Sequence, residues 1–142
     1  MGEARDVMDR ATEASINQDW ETLASLYAPD AVITDPQLGT LTGRVVEYFK
    51  SLSDAFPDIR YHLETGHEAG NVAIDEGYVT GTHTGSLVLP DQTTIPATGR
   101  SIRVRSCDVM TVENGVATRH NIYWDQLELL SQLGLAPEAA QT

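Results

Sequence analysis

The chain has 142 residues and a mass of 15.5 kDa, with 41% hydrophobic and 21% charged residues, a size for one domain spanning residues 1–142 with a core and room for an enclosed pocket. Nine basic against 21 acidic residues leave a net charge of −12, which argues against nucleic acid as a partner, because phosphate binding is built on lysine and arginine. No apolar run reaches the roughly 18 residues of a membrane span, the acidic start "MGEARDVMDRATEAS" lacks an apolar signal core, and a lone cysteine, Cys107, excludes an internal disulfide. The expectation is a cytoplasmic protein that engages neither nucleic acid nor membrane.

In chain order, Ala4, Val7, Met8, Ala11 and Ala14 recur at three- and four-residue intervals and predict a helix over residues 4–17 with one apolar stripe. "DWETLASLYAP" predicts a second helix, with Asp19 as N-cap, Trp20, Leu23, Leu26 and Tyr27 turned inward, and Pro29 as the stop. "DAVITDP" reads as a short strand closed by an Asp-Pro turn, and "TGRVVEYFKSLSDAFPD" as a third helix with Val45, Phe49, Leu52 and Phe56 on one side. From residue 59 the period changes from about 3.6 to 2. Strands are predicted over 59–66, 72–84, 100–112 and 116–125, the last two joined by an Asn-Gly hairpin turn at 114 and 115. "QLELLSQLGLAP" is a short terminal helix stopped by Gly134 and Pro137. Helices followed by an antiparallel meander imply an α+β fold, with helices across one face of a curved sheet and a cavity at its open end.

In "RSIRVRSCDVMTV" the alternation places Ile102, Val104, Ser106, Asp108 and Met110 on one face and Arg103, Arg105 and Cys107 on the other. Asp108 therefore points inward, where a carboxylate must be hydrogen-bonded, paired or left partly wet. Cys107 reads as a small, buried or half-buried strand residue. The last strand gives two readings: Val116, Ile122 and Trp124 favour one inner face, and Ala117, Tyr123 and Asp125 the other, which a bulge reconciles. An inward Asp125 would arrive with Tyr123 and Asn121 beside Asp108, and two facing carboxylates separate into an acid and a base. Asp125 also stands three residues before Glu128 at a strand-to-helix junction, a capping-box pattern.

Of the four histidines, His83 lies between glycines in "GTHTG", His120 reads as a packed or cross-strand histidine, His62 as outward, and His67 as part of an exposed turn. No HExxH, CxxC, GxGxxG, Walker loop or GxSxG elbow is present, so metal, nucleotide and serine-nucleophile chemistry have no motif behind them. What the sequence offers is acid/base work without cofactor or metal.

Together "DWETLASLYAPDAVITDP", "AFPDIRYHLE", "GTHTGSL", "TIPATGRSIRVRSCDV", "ENGVATRHNIYWD" and "LELLSQLG" resemble the SnoaL-like polyketide cyclases of the nuclear transport factor 2-like superfamily, over about residues 5 to 135. The resemblance implies a cone: a strongly curved antiparallel sheet wrapped over three N-terminal helices, closed by a short C-terminal helix, with a deep apolar pocket and often a homodimer through the sheet's outer face. It also implies that an aspartate late in the last strand, here Asp125, removes a proton from an activated carbon, and that an intramolecular aldol condensation closes a ring. The partner on the preceding strand, often histidine in such proteins, is Asp108. The related limonene epoxide hydrolases use two aspartates on adjacent strands with an arginine two positions before the first, a place held here by Ser106. Some SnoaL-like proteins of polyketide pathways are implicated in hydroxylation instead.

The resulting expectation is a cofactor-independent enzyme on a hydrophobic polyketide-type molecule, with Asp125 as base and Asp108 or His83 as hydrogen-bond donor to the enolate oxygen. Tyr123, Asn121, Trp20, Tyr48 and His120 are the substrate-contacting candidates, and Phe56 reads rather as core. Epoxide opening, with Asp125 activating water and Asp108 protonating the leaving oxygen, is the alternative, and a non-catalytic ligand-binding domain the third reading.

Overall fold

The computed structural model describes residues 2–88 and 92–135. Two helices, α1 (Glu3–Ile16) and α2 (Trp20–Ser25), precede strands β1 (Tyr27–Asp35) and β2 (Gly39–Thr42) and helix α3 (Val45–Ala55). Long strands β3 (Arg60–Ala69) and β4 (Val72–Thr82) follow, then the two-residue strands β5 (Leu87–Val88) and β6 (Thr94–Ile95). Strands β7 (Ser101–Glu113) and β8 (Val116–Trp124) and helix α4 (Gln126–Gln132) complete the order. Ala4, Val7, Met8, Ala11 and Ala14 are the buried apolar face of α1, as their spacing requires.

Six strands form one sheet in the order β2-β1-β8-β7-β4-β3, the large curved sheet of an α+β fold. All neighbours are antiparallel except β1 and β8, which run parallel, so the expected all-antiparallel sheet is corrected at that seam. Tyr27 opens β1 instead of closing α2. Pro29, read as a helix stop, sits between Tyr27 and Val32 where the pairing with β8 shifts register, a place where its missing N–H leaves no ladder bond unmade. The β5–β6 hairpin lies in a segment read from the sequence as a connection.

The turn between β7 and β8 is set by Asn114 and Gly115, both at positive φ (53° and 83°), the conformation that Asn-Gly adopts at little cost. Gly134, at φ 76°, follows the end of α4 as expected, and Pro137 lies outside the described residues. One core, including Met8, Leu23, Ile33 and Met110, fills the space between the first three helices and the sheet, and a second, with Phe56, Leu87, Ile102, Val104, Leu129 and Leu133, lies under α4. Each fully buried Leu, Ile or Met contributes about 1.5–3 kcal/mol of transfer free energy.

Candidate active site

Between the two cores lies a cavity that offers about 130 Å³ to the centre of a water-sized sphere, room for a small organic ligand where a single water needs about 10–15 Å³. Aromatic and aliphatic side chains dominate its lining, among them Tyr27, Tyr48, Phe49, Phe56 and Trp124. Asp108 supplies the one carboxylate and His120 the one imidazole among the described lining residues.

Asp108 is where the alternation of β7 places it: Ile102, Val104, Ser106 and Met110 are buried on the same face. His120 faces it because β8 carries a bulge. Thr111 pairs with Arg119 but Val112 pairs with Ala117, so Thr118 is the extra residue and the inward parity moves by one. Ala117 is inward before the bulge and His120, Ile122 and Trp124 after it.

Three hydrogen bonds order the pair. His120 Nε2 lies 2.8 Å from Asp108 Oδ2, His120 Nδ1 lies 2.8 Å from the Tyr27 hydroxyl, and the Ser106 hydroxyl donates to Asp108 Oδ1 at 3.2 Å. With Asp108 as carboxylate, Nε2 carries a proton and donates to it, and in the neutral ring Nδ1 then accepts from the Tyr27 O–H. Burial first, and then the Asp108 charge, hold the Tyr27 phenol well above its ordinary pKa, so Tyr27 stays a donor. Phe49 packs against Tyr27, Tyr48 and His120 and fixes their rings.

Behind the pair, Asp75 is the cross-strand partner of Asp108 and is 3% exposed. Arg5 reaches it from α1, Nη2 to Oδ1 at 2.6 Å. Burial raises the Asp75 pKa, Arg5 pulls it back, and the Asp108 charge adds to the rise.

Of the residues read from the sequence as catalytic or substrate-contacting, the structure brings Asp108, His120 and Tyr48 to the cavity and leaves Asp125, His83, Tyr123, Asn121 and Trp20 away from it. Asp125 is exposed and accepts from the backbone N–H groups of Leu127 and Glu128 at 3.0 and 3.2 Å. It is the N-cap of α4 and does not line the cavity. Tyr123 is 55% exposed beside Cys107 on the outer face, which Asn121 shares as partner of Val109. The bulge explains both corrections. Trp20 packs against the first core without reaching the cavity. His83 is buried against Phe56, ring centroids 5.1 Å apart, and it is Phe56 that lines the cavity. Burial lowers the His83 pKa. The sequence reading missed Tyr27, taken for an inward helix residue, and Tyr61, whose position on a period-2 strand was its one signal.

The fold and cavity are those of a small α+β protein with the nuclear transport factor 2-like fold. The SnoaL-like domain family model matches residues 8–120, and the chain belongs to that family. No curated protein matches. Among solved structures, a proposed SnoaL-like polyketide cyclase from Jannaschia sp. CCS1 is 15% identical with a TM-score of 0.81, over 95% of this chain and 94% of that one. IdmH from Streptomyces antibioticus, a proposed polyketide cyclase, is 24% identical with a TM-score of 0.75, over 94% and 99%. An LEH-like epoxide hydrolase of M. tuberculosis is 16% identical with a TM-score of 0.70, over 92% and 89%. At these identities the likeness is one of fold.

Proposed function

We propose that the chain is a cofactor-independent, cytoplasmic enzyme of the polyketide-cyclase type, acting on a hydrophobic, carbonyl-bearing small molecule. The observation that carries this reading is the Asp108–His120–Tyr27 chain of hydrogen bonds on the wall of an apolar cavity. Asp108 removes a proton from a carbon next to a carbonyl, and the C–H electron pair moves onto the carbonyl oxygen. The enolate carbon then attacks a second carbonyl of the same molecule, and the new alkoxide takes a proton back from Asp108. His120, held by Tyr27, donates to the carboxylate and orients it. A positioned base of this kind contributes about 10²- to 10⁴-fold, and the cavity adds orientation and the exclusion of water.

Relative to what the resemblance implies, acid and imidazole have exchanged strands, aspartate on β7 and histidine on β8. Epoxide opening by an Asp108–Asp125 pair has less support, since Asp125 caps α4 on the surface. A homodimer through the outer sheet face, with exposed Tyr123 in the interface, is part of the proposal and is checked by sedimentation.

The test is hydrogen–deuterium exchange at the carbon next to the carbonyl of 2-tetralone, followed by NMR. Exchange should fall at least about 10²-fold in Asp108→Asn and stay at the wild-type rate in Asp125→Asn. The reverse pattern would sink the assignment.

A further inference from the structure

The cavity has a deep end and a mouth, and its carboxylate and its one guanidinium lie toward opposite ends. Tyr27, Tyr48, Ser106, His120 and Ile122 in its wall are buried. Thr12, Ser15, Ile16, Leu52, Ile59 and Tyr61 are half-buried, and Arg60 is exposed. The rim is therefore built from the C-terminal half of α1, the end of α3 and the start of β3. Helix α1 reaches it because its own N-terminus is held at the far end of β3, where Glu68 accepts from the N–H groups of Gly2 and Arg5. Strand register gives the separation: Asp108 pairs with Asp75 on β4, and Arg60 pairs with Thr80 on the same strand, which is about 16 Å further along it.

Arg60 is poorly used by the fold itself. Its guanidinium turns back along the chain, Nη1 donating to the Ile59 carbonyl at 2.7 Å, which leaves the rest of its N–H groups for another acceptor. Among the described residues no carboxylate lies within ion-pair distance of it. Asp58, close in sequence, is engaged elsewhere: its Oδ1 and Oδ2 accept from the N–H and hydroxyl of Thr82 at 2.7 and 2.8 Å, and it meets Arg60 only through space. A chain of net charge −12 repels anions in general, so a cation left without a carboxylate at the entrance of an apolar cavity changes which molecules can approach.

We propose that Arg60 is an anion anchor at the cavity mouth, holding the carboxylate of an amphipathic ligand whose apolar body fills the cavity. The proposal rests on the reading of the cavity as a small-molecule site and names the outer end of its ligand; it does not depend on proton abstraction. A guanidinium fork matches the two oxygens of a carboxylate. The inner end refuses the same group, because a ligand carboxylate beside Asp108 would set two like charges in a poorly solvated wall. The two ends together orient the ligand, apolar end first and charged group at the rim. Aromatic and aliphatic walls between them supply the burial.

Calorimetric titration of the full chain with octanoate and with 1-octanol, which share a tail and differ in the head group, tests this. Octanoate should bind the wild type about fivefold more tightly than 1-octanol, and the two should compete. Arg60→Gln should abolish that preference and leave 1-octanol affinity unchanged. Arg10→Gln removes the same charge from an exposed position outside the cavity and should keep the preference. Both substitutions are of exposed side chains, and an unchanged thermal midpoint confirms that each variant is folded. If the wild type binds both probes equally, the anchor is overturned while the cavity stands as a small-molecule site. Equal loss of the preference in Arg10→Gln and Arg60→Gln would also overturn it, since the overall charge would then be the cause. If neither probe binds, the anchor falls together with the amphipathic ligand class. A preference that depends on Arg60, in a protein that exchanges no 2-tetralone proton, upholds the anchor and removes proton abstraction alone.

Discussion

Asp125 illustrates how one side chain's surroundings decide its work. Its Oδ1 already accepts two backbone N–H groups at the start of α4, donors that otherwise have no partner. Replacing it by alanine should cost about 0.5–2 kcal/mol of stability, read as a lower urea midpoint at unchanged slope. Ligand binding in the cavity should be unaffected; a loss of binding at full stability would contradict the surface placement. Asp108 was legible because a run of apolar residues at every second position fixes the face of β7. His120 was not, because the face of β8 turns on a single inserted residue, Thr118. A one-residue shift inverts every side chain beyond it, and that inversion carried Tyr123 and Asn121 outward while it brought His120 in.

Among elements, the placement of α1 on the sheet depends on Arg5. Its side chain is 9% exposed and meets Asp75, 5% exposed, at 2.6 Å, along with Asp9 at the same distance. Glu68 on β3 accepts from the N–H groups of Gly2 and Arg5 at 2.8 and 2.9 Å. These contacts tie the helix that supplies Ala11, Thr12, Ser15 and Ile16 to the cavity wall. Arg5→Met should destabilise the protein by about 3–5 kcal/mol, since it leaves Asp75 buried without its partner. Asp75→Asn in the same chain should restore part of that, and equilibrium urea unfolding of the single and double variants measures the coupling. Equal midpoints for Arg5→Met and the double variant would mean that no charge penalty is involved. Helix α1 was readable from its stripe, yet its anchor was not: an arginine on an otherwise apolar face has no period to announce it, and Asp75 lies 70 positions along the chain. The parallel seam of β1 and β8 escaped for a similar reason, as nothing local in "DAVITDP" names a partner almost 90 residues away.

For the whole molecule the question is how these buried groups add up as pH changes. His83 is fully buried, its Nδ1 accepts from the Thr98 N–H at 3.3 Å and lies 3.0 Å from the Thr98 hydroxyl, and burial lowers its pKa. The folded state thus prefers the neutral ring, whereas in the unfolded chain a histidine takes up its proton near pH ~6.5. Below that pH the unfolded state binds more protons than the folded one, so stability is lost as pH falls from about 6.5 toward the lower folded value. Asp58 and Glu68 are shifted down by the backbone N–H groups they accept, from Thr82 and Arg5 foremost. Their contributions are present above the ordinary carboxylate range and lost only as pH falls through it. Asp75, shifted up by burial, works in the opposite sense, its contribution present at low pH and lost as pH rises through its folded value. Between pH 7 and 5 His83 therefore contributes a loss of stability as pH falls. Urea midpoints at pH 7, 6 and 5 should decline in the wild type and decline less in His83→Gln, which keeps an amide able to pair with Thr98 but cannot titrate. The overall charge of −12 shrinks on acidification in both proteins alike, so the difference between their slopes isolates the one ring. Parallel slopes would show that His83 is protonated within the fold as easily as outside it, and that its burial does not govern the response of the fold to acid.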